Sequence, residues 1–184
     1  MNRNLVLYIA MSLDGYIAKK DDDLGFLSMV EKEGEDYGYG DFINTVDAVI
    51  VGRKTYDKVL SMGFDFPHAD KDAYIITRTP RPTIGNVKFY SGDLKELVYQ
   101  LKSQKGKNIF CDGGAEIANE LLREDLIDEL IISVIPILLG DGIRLFKDGR
   151  PEKALELVSV NSFEKGLVQV RYGRGEGRMR GARG

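Results

Sequence analysis

Three short segments, far apart in the chain, set phosphate-friendly chemistry where an apolar run gives way to a turn or helix. They are Val51-Gly52-Arg53-Lys54-Thr55, Thr77-Arg78-Thr79 and Asp112-Gly113-Gly114-Ala115. Ala48-Val49-Ile50, Tyr74-Ile75-Ile76 and Ile109-Phe110-Cys111 precede them in turn. Strand ends in an open α/β sheet share one edge, and ligands collect there. Free backbone N–H groups at a helix start, joined by Arg, Lys and Thr side chains, suit a phosphorylated ligand. The pattern reads as a nucleotide-cofactor site.

Other chemistries find few residues to use. Cys111 is the only cysteine and His68 the only histidine. One of each cannot build the usual zinc sites, so no metal is expected. Ser-His-Asp or Cys-His catalysis would have to rest on His68, in the loop-like stretch Asp65-Phe66-Pro67-His68-Ala69-Asp70. Cys111 reads as a small buried apolar residue in a strand.

The elements that must carry the three segments can be read from hydrophobic pattern. Leu5 to Met11 is a nearly continuous apolar run, as a central strand buried on both faces requires. Asp14-Gly15 breaks it before Tyr16-Ile17-Ala18. Leu24 to Lys32 is expected to be helical. Strands are expected at 47–51, 73–77, 87–90 and 108–111. The helix after Gly52 places Tyr56, Val59 and Leu60 on one face. Asp93, with Glu96 three residues on, reads as the N-cap of a helix aligning Leu94, Leu97, Val98 and Leu101. After Gly113-Gly114, Ile117, Ala118, Leu121 and Leu122 form a second helical stripe. Glu129 to Leu139 is a long strand-rich segment cut by Pro136, and two last strands meet at Gly166 in a hairpin. The class is α/β, a mostly parallel central sheet with an antiparallel C-terminal hairpin.

The 184 residues fit one domain over 1–172, followed by a Gly/Arg-rich tail at 173–184. That tail holds Arg174, Arg178, Arg180 and Arg183 against Glu176, so the body is more acidic than the net charge of −3. An acidic body argues against nucleic acid as a partner, and the tail reads as a solvated terminus. No apolar run reaches about 18 residues, so no membrane span is expected. A cytoplasmic protein is expected, since the chain enters a strand pattern at once. The long 129–139 segment makes a homodimer the expected assembly.

The order of elements and turns resembles the dihydrofolate reductase-like superfamily, in the branch containing the reductase domain of the bifunctional riboflavin-biosynthesis enzyme. Four segments carry the likeness, which spans roughly Asn4 to Tyr172: Met11 to Ala18, Val51 to Tyr56, Asp112-Gly113-Gly114 with its helix, and Asp128 through Pro136 to Gly142. The resemblance implies a three-layer fold and NADPH as cofactor. Gly52, Arg53, Lys54 and Thr55 would hold its phosphates, and Thr77 and Arg78 would flank the adenosine ribose, Arg78 facing a 2′-phosphate. Gly113-Gly114 would form the family's cis turn against the pyrophosphate, continued by Ala115, Glu116 and Ile117. Ala10, Ile17 and Ala18 would line the nicotinamide.

At the substrate end the same resemblance places Asp23 at the acid position of folate reductases, with Ser133 as its hydroxyl partner. Departures point elsewhere: there is no Trp, and Asp112 stands where folate reductases keep an apolar residue. Ser12, Asp14, Asp112, Gly140, Gly142 and Arg144 are expected around a ribosyl or phosphate group, as in the riboflavin branch, with Asp14 near the chemistry. Three readings are open. The first is an NADPH-dependent reductase of a pyrimidine- or pterin-like molecule, such as a phosphoribosylamino-uracil. The second is a dihydrofolate reductase, and the third a non-catalytic nucleotide-binding protein.

Overall fold

The computed structural model describes residues 3–175. Strands β1 (Leu5–Ser12) and β2 (Tyr16–Ala18) open the chain, followed by helix α1 (Tyr39–Ile43), β3 (Val46–Gly52) and α2 (Arg53–Ser61). Next come β4 (Asp72–Ile76), β5 (Val87–Tyr90), α3 (Leu94–Ser103), β6 (Asn108–Gly113) and α4 (Ala115–Arg123). The remainder is β7 (Glu129–Ile135), β8 (Ile143–Arg144), β9 (Leu155–Ser162) and β10 (Val168–Arg174). Eight strands form one sheet in the order β5-β4-β3-β6-β1-β7-β10-β9, and β2 pairs with β8 in a separate two-stranded sheet.

The order follows from burial. β1, β3 and β6 are the most continuously apolar runs, and they occupy the middle, paired in parallel. One face of the sheet packs Leu94, Leu97, Val98 and Leu101 of α3 and Ile117, Ala118 and Leu121 of α4 against Leu5, Leu7, Ile50 and Cys111. Each fully buried Leu or Val there is worth about 1.5–3 kcal/mol. The Asp93 carboxylate accepts the Glu96 N–H at 2.9 Å, the expected N-cap, worth about 1 kcal/mol. The other face carries α1 and α2 through Tyr39, Phe42, Ile43 and Tyr56. Three layers result.

Several expectations change. The segment after Leu24 forms only 3₁₀ turns at Gly25–Val30, with no side-chain cap, and it buries Phe26 and Val30. In α2 only Tyr56 is buried, seated against Phe66 and Phe89 at 5.1 and 5.5 Å, while Leu60 faces solvent. Gly173 and Arg174 belong to β10 rather than to a tail, because Arg174 binds Asp128 and Asp125 at 2.9 and 3.1 Å. The rest of the expected tail, beyond Gly175, lies outside the described residues. β7 ends at Ile135 and is paired on both sides, by β1 in parallel and by β10 antiparallel. It therefore has no free edge for a second copy. The free edges are β5 and β9, and β9 exposes Leu157, Val158 and Val160.

Candidate functional site

Two helix starts meet at the C-terminal edge of the sheet. α2 begins after Gly52 and α4 after Gly114, and neither has a side-chain cap. The first N–H groups of each helix, those of Arg53, Lys54 and Thr55 and of Ala115, Glu116 and Ile117, therefore have no intrahelical acceptor. A Cβ on Gly52 would stand 3.2 Å from Ile117 Cγ1 and 3.5 Å from Gly114 N. A Cβ on Gly114 would stand 3.3 Å from Thr55 Oγ1. Glycine at both places lets the two positive helix ends lie side by side, a geometry suited to a diphosphate. The Gly113–Gly114 peptide is cis, as the resemblance implies.

Cationic side chains ring this cradle. Arg53 Nη1 donates to Asp57 Oδ2 at 3.1 Å, and Arg81 makes a two-pronged pair with the same carboxylate at 2.8 and 3.0 Å. Arg81 holds the Asp57 carboxyl below its usual value; burial opposes the shift, and Arg53 adds to it. Lys54 and Glu116 are both exposed, their charged atoms 3.9 Å apart. At the end of β4 the buried Thr77 hydroxyl is committed to the Thr79 backbone, accepting its N–H at 3.1 Å. Arg78 is exposed and makes no side-chain hydrogen bond or ion pair among the described residues. Arg81 was given no role in the sequence reading, although a basic residue between Pro80 and Pro82 at a strand end was a usable signal.

Beside the cradle, one face of the sheet carries a polar row. Register sets Ala10 and Gln169 each beside Ser133, and Leu7 beside Cys111, one residue before Tyr8 and Asp112 respectively. Gln169 Nε2 donates toward Ser133 Oγ at 3.1 Å and toward the Tyr8 hydroxyl and the Tyr37 carbonyl, each at 3.2 Å. Burial raises the Tyr8 hydroxyl; the Gln169 bond opposes it and the Asp36 charge adds to it. Tyr39 is pushed up to about 12 by burial first, then by the Asp112 charge, with Tyr8 and Asp70 adding. Tyr8 stacks on Phe42 at 4.6 Å, and Phe42 meets Phe110 edge-on at 5.1 Å. His68 closes the row, with Nε2 2.9 Å from Asp112 Oδ2. Tyr8 and Gln169 were missed, each a lone polar group in an apolar run, while His68 was noted as the only histidine but given no place in the site.

The expected pairing of Asp23 with Ser133 is not formed. Asp23 is exposed and its Oδ1 accepts the Gly25 N–H at 2.7 Å, starting the 3₁₀ turn, while Ser133 is buried against Gln169. Ser12 and Asp14, expected around the substrate, make bonds within the chain. The fully buried Ser12 hydroxyl donates to Asp14 Oδ1 at 2.6 Å and accepts the Tyr16 N–H at 2.9 Å. Asp14 in turn accepts the Leu139 and Gly140 N–H groups at 3.1 and 2.8 Å. Its carboxyl is held low, by Ser12 foremost and then by these amides against desolvation. At Gly142, φ is +139° and a Cβ would fall 2.2 Å from the Ala18 carbonyl oxygen. Arg144 pairs β8 to β2 and lies over the Tyr16 ring at 5.3 Å. Together Ser12, Asp14, Gly140, Gly142 and Arg144 strap the 139–144 loop onto β2, where Ile17 and Ala18 sit. Among the described residues no group of three or more His, Cys, Asp or Glu is placed to hold a metal ion. No described helix is long and apolar enough to cross a membrane.

Comparison with known proteins follows the same lines. The family model described as RibD C-terminal domain matches residues 3–169. The uncharacterized protein YwjB of Bacillus subtilis (strain 168) is 45% identical over 94% of this chain and 98% of its own. A solved structure from Shewanella sp. PV-4, named for riboflavin biosynthesis, is 30% identical with a TM-score of 0.84, covering 96% of this chain and all of that one. Dihydrofolate reductase from Enterococcus faecalis, complexed with NADP(H), has a TM-score of 0.68 at 16% identity, covering 96% of this chain and 100% of its own. The fold is that of the dihydrofolate reductase-like proteins.

Proposed function

The chain belongs to the RibD C-terminal domain family, and on that premise we propose that it is an NADPH-dependent reductase of a pyrimidine- or pterin-like small molecule. The observation that carries the cofactor is the meeting of two uncapped helix starts at Gly52 and Gly114, with Arg53 and Lys54 in the first turn of α2. When bound, NADPH supplies a hydride from its nicotinamide to the acceptor. Arg53, Lys54 and Thr55, with the N–H groups of Ala115, Glu116 and Ile117, hold the phosphates. Arg78, which has no side-chain partner among the described residues, would be the residue to pair with a 2′-phosphate and so favour NADPH over NADH. Ala10, Ile17 and Ala18 give the ring a small apolar bed, and the strapped 139–144 loop excludes water from it. Ser133, Gln169, Tyr8 and Asp112 orient the acceptor on the polar row.

Within that class the reading favours a phosphoribosylamino-uracil over folate. Asp112 offers a hydrogen-bond acceptor where folate needs an apolar neighbour, and Asp23 is occupied with Gly25. Fluorescence titration with NADPH and NADH on the wild type and Arg53→Ala/Arg78→Ala tests the cofactor. NADPH-selective binding, weakened at least tenfold in the double variant, is expected. A wild type that binds neither nucleotide would leave the third reading, a non-catalytic protein. Turnover of 5-amino-6-(5-phosphoribosylamino)uracil against dihydrofolate then separates the first two.

A further inference from the structure

His68 is the one buried titratable group in the polar row that the cofactor reading leaves without a task. It sits in the loop between α2 and β4, its side chain 3% exposed. The ring meets Phe66 and Phe110 edge-on, at 5.4 and 5.5 Å. Its Nε2 is 2.9 Å from Asp112 Oδ2, while the Asp112 side chain is 33% exposed. An ionised carboxylate only accepts, so the imidazole donates its Nε2–H. Neither group has another side-chain hydrogen bond among the described residues. Packing alone does not call for an imidazole here, because a phenyl ring would fill the gap between two Phe rings without a polar atom to satisfy.

Asp112 stands near the end of β6 directly before Gly113, bonded to the His68 ring that meets Phe110, and its charge is felt by Tyr39. One of its oxygens is tied inward to His68. The other is left for whatever occupies the row, and a carboxylate covered by a ligand is costly unless that ligand donates to it. We propose that His68 is a positioning residue: it fixes Asp112 so that the free carboxylate oxygen accepts a hydrogen bond from an N–H or O–H of the substrate. The pair thus selects amino- or hydroxyl-bearing acceptors and rejects those whose facing edge carries only acceptor atoms. This rests on the reductase reading and narrows its substrate class.

His68 is the only histidine, so untagged, isotope-labelled protein gives a single imidazole signature by NMR. The experiment compares wild type, His68→Gln, His68→Phe and Asp112→Ala, each first checked for its melting temperature and NADPH affinity. In NADP⁺-saturated wild type a slowly exchanging Nε2–H proton is expected. It should shift when 5-amino-6-(5-phosphoribosylamino)uracil is added, and it should vanish in Asp112→Ala. His68→Phe keeps the packing and loses the donor, so kcat/KM should fall roughly ten- to hundredfold at unchanged NADPH affinity. His68→Gln, which keeps an N–H, should recover part of that loss. Wild-type kcat/KM in His68→Phe would overturn the proposal, as would an imidazole signature indifferent to Asp112→Ala. If the wild type binds NADPH but neither binds nor reduces the uracil, the uracil reading fails. The proposal is then decided by the same proton with aminopyrimidine and methylated-pyrimidine probes; a shift with the aminopyrimidine alone supports it, and equal response to both overturns it.

Discussion

Arg81 and Asp57 form a two-pronged ion pair, with both Arg81 terminal nitrogens within 3.0 Å of the Asp57 carboxylate oxygens. Arg53 shares that carboxylate from the first turn of α2. The start of α2 thus carries its own counter-charge, and a phosphate bound there as proposed would have to compete with Asp57 for two arginines. Electrostatics of this kind sets salt sensitivity and selectivity more than raw affinity.

The pair has an acid signature. Because Asp57 is held below the ordinary carboxylate value of 3.8, its contribution is fully present above that value and is lost as pH falls through the depressed folded one. Asp57→Asn should therefore lower stability modestly at neutral pH and flatten the acid limb below about 4, so that variant and wild type converge as the carboxylate protonates. Denaturant melts between pH 2 and 7 measure it. The effect should be modest, since the side chain is 36% exposed.

Gly52→Ala tests the close approach of the two helix starts. Gly52 has an ordinary φ of −69°, so any effect comes from the added methyl against Ile117 and not from the backbone. A loss of about 1–3 kcal/mol in unfolding free energy is expected. NADPH affinity should fall with it, as read by calorimetry on the folded variant.

Asp14→Asn should loosen the strap over β2. Hydrogen exchange at the Leu139 and Gly140 amides, both bonded to Asp14, should quicken. The Gly142 amide, which donates to Asp141, should keep its rate. Equal rates at Leu139 and Gly140 in wild type and variant would return Asp14 to the list of substrate contacts.

Cys111 is fully buried in β6, and burial pushes its thiol up to about 12. Ellman's reagent at pH 8 should leave it unlabelled in the folded protein and label it fully in denaturant. Cys111→Ser, by burying a hydroxyl in that apolar setting, should cost about 1–3 kcal/mol.

Much of this architecture was legible in residue order. Continuous apolar runs mark β1, β3 and β6, and the Asp93–Glu96 cap and the Leu94/Leu97/Val98/Leu101 stripe mark α3, because these signals are local. The short α1 escaped, being only five residues in a Gly- and acid-rich stretch. Cradle glycines were readable because helix starts and turns are local too. The polar row was not, since Tyr8, Asp112, Ser133 and Gln169 come from strands remote in sequence and His68 reaches them from the loop after α2. Asp23 misled for the mirror reason: a charge run fits many local turns, and nothing nearby reveals which one it will take.

The order β6-β1-β7 has a bearing on biosynthesis. Leu5 pairs with Ile109 and Val6 with Glu129, so the strand made first finds both neighbours only after roughly a hundred further residues. As the chain leaves the ribosome, the apolar run from Leu5 to Met11 must wait unpaired until β6 and β7 emerge. A stalled or cleaved product ending before Glu129 would present that run, rather than a partial enzyme, to the cell's chaperones and proteases.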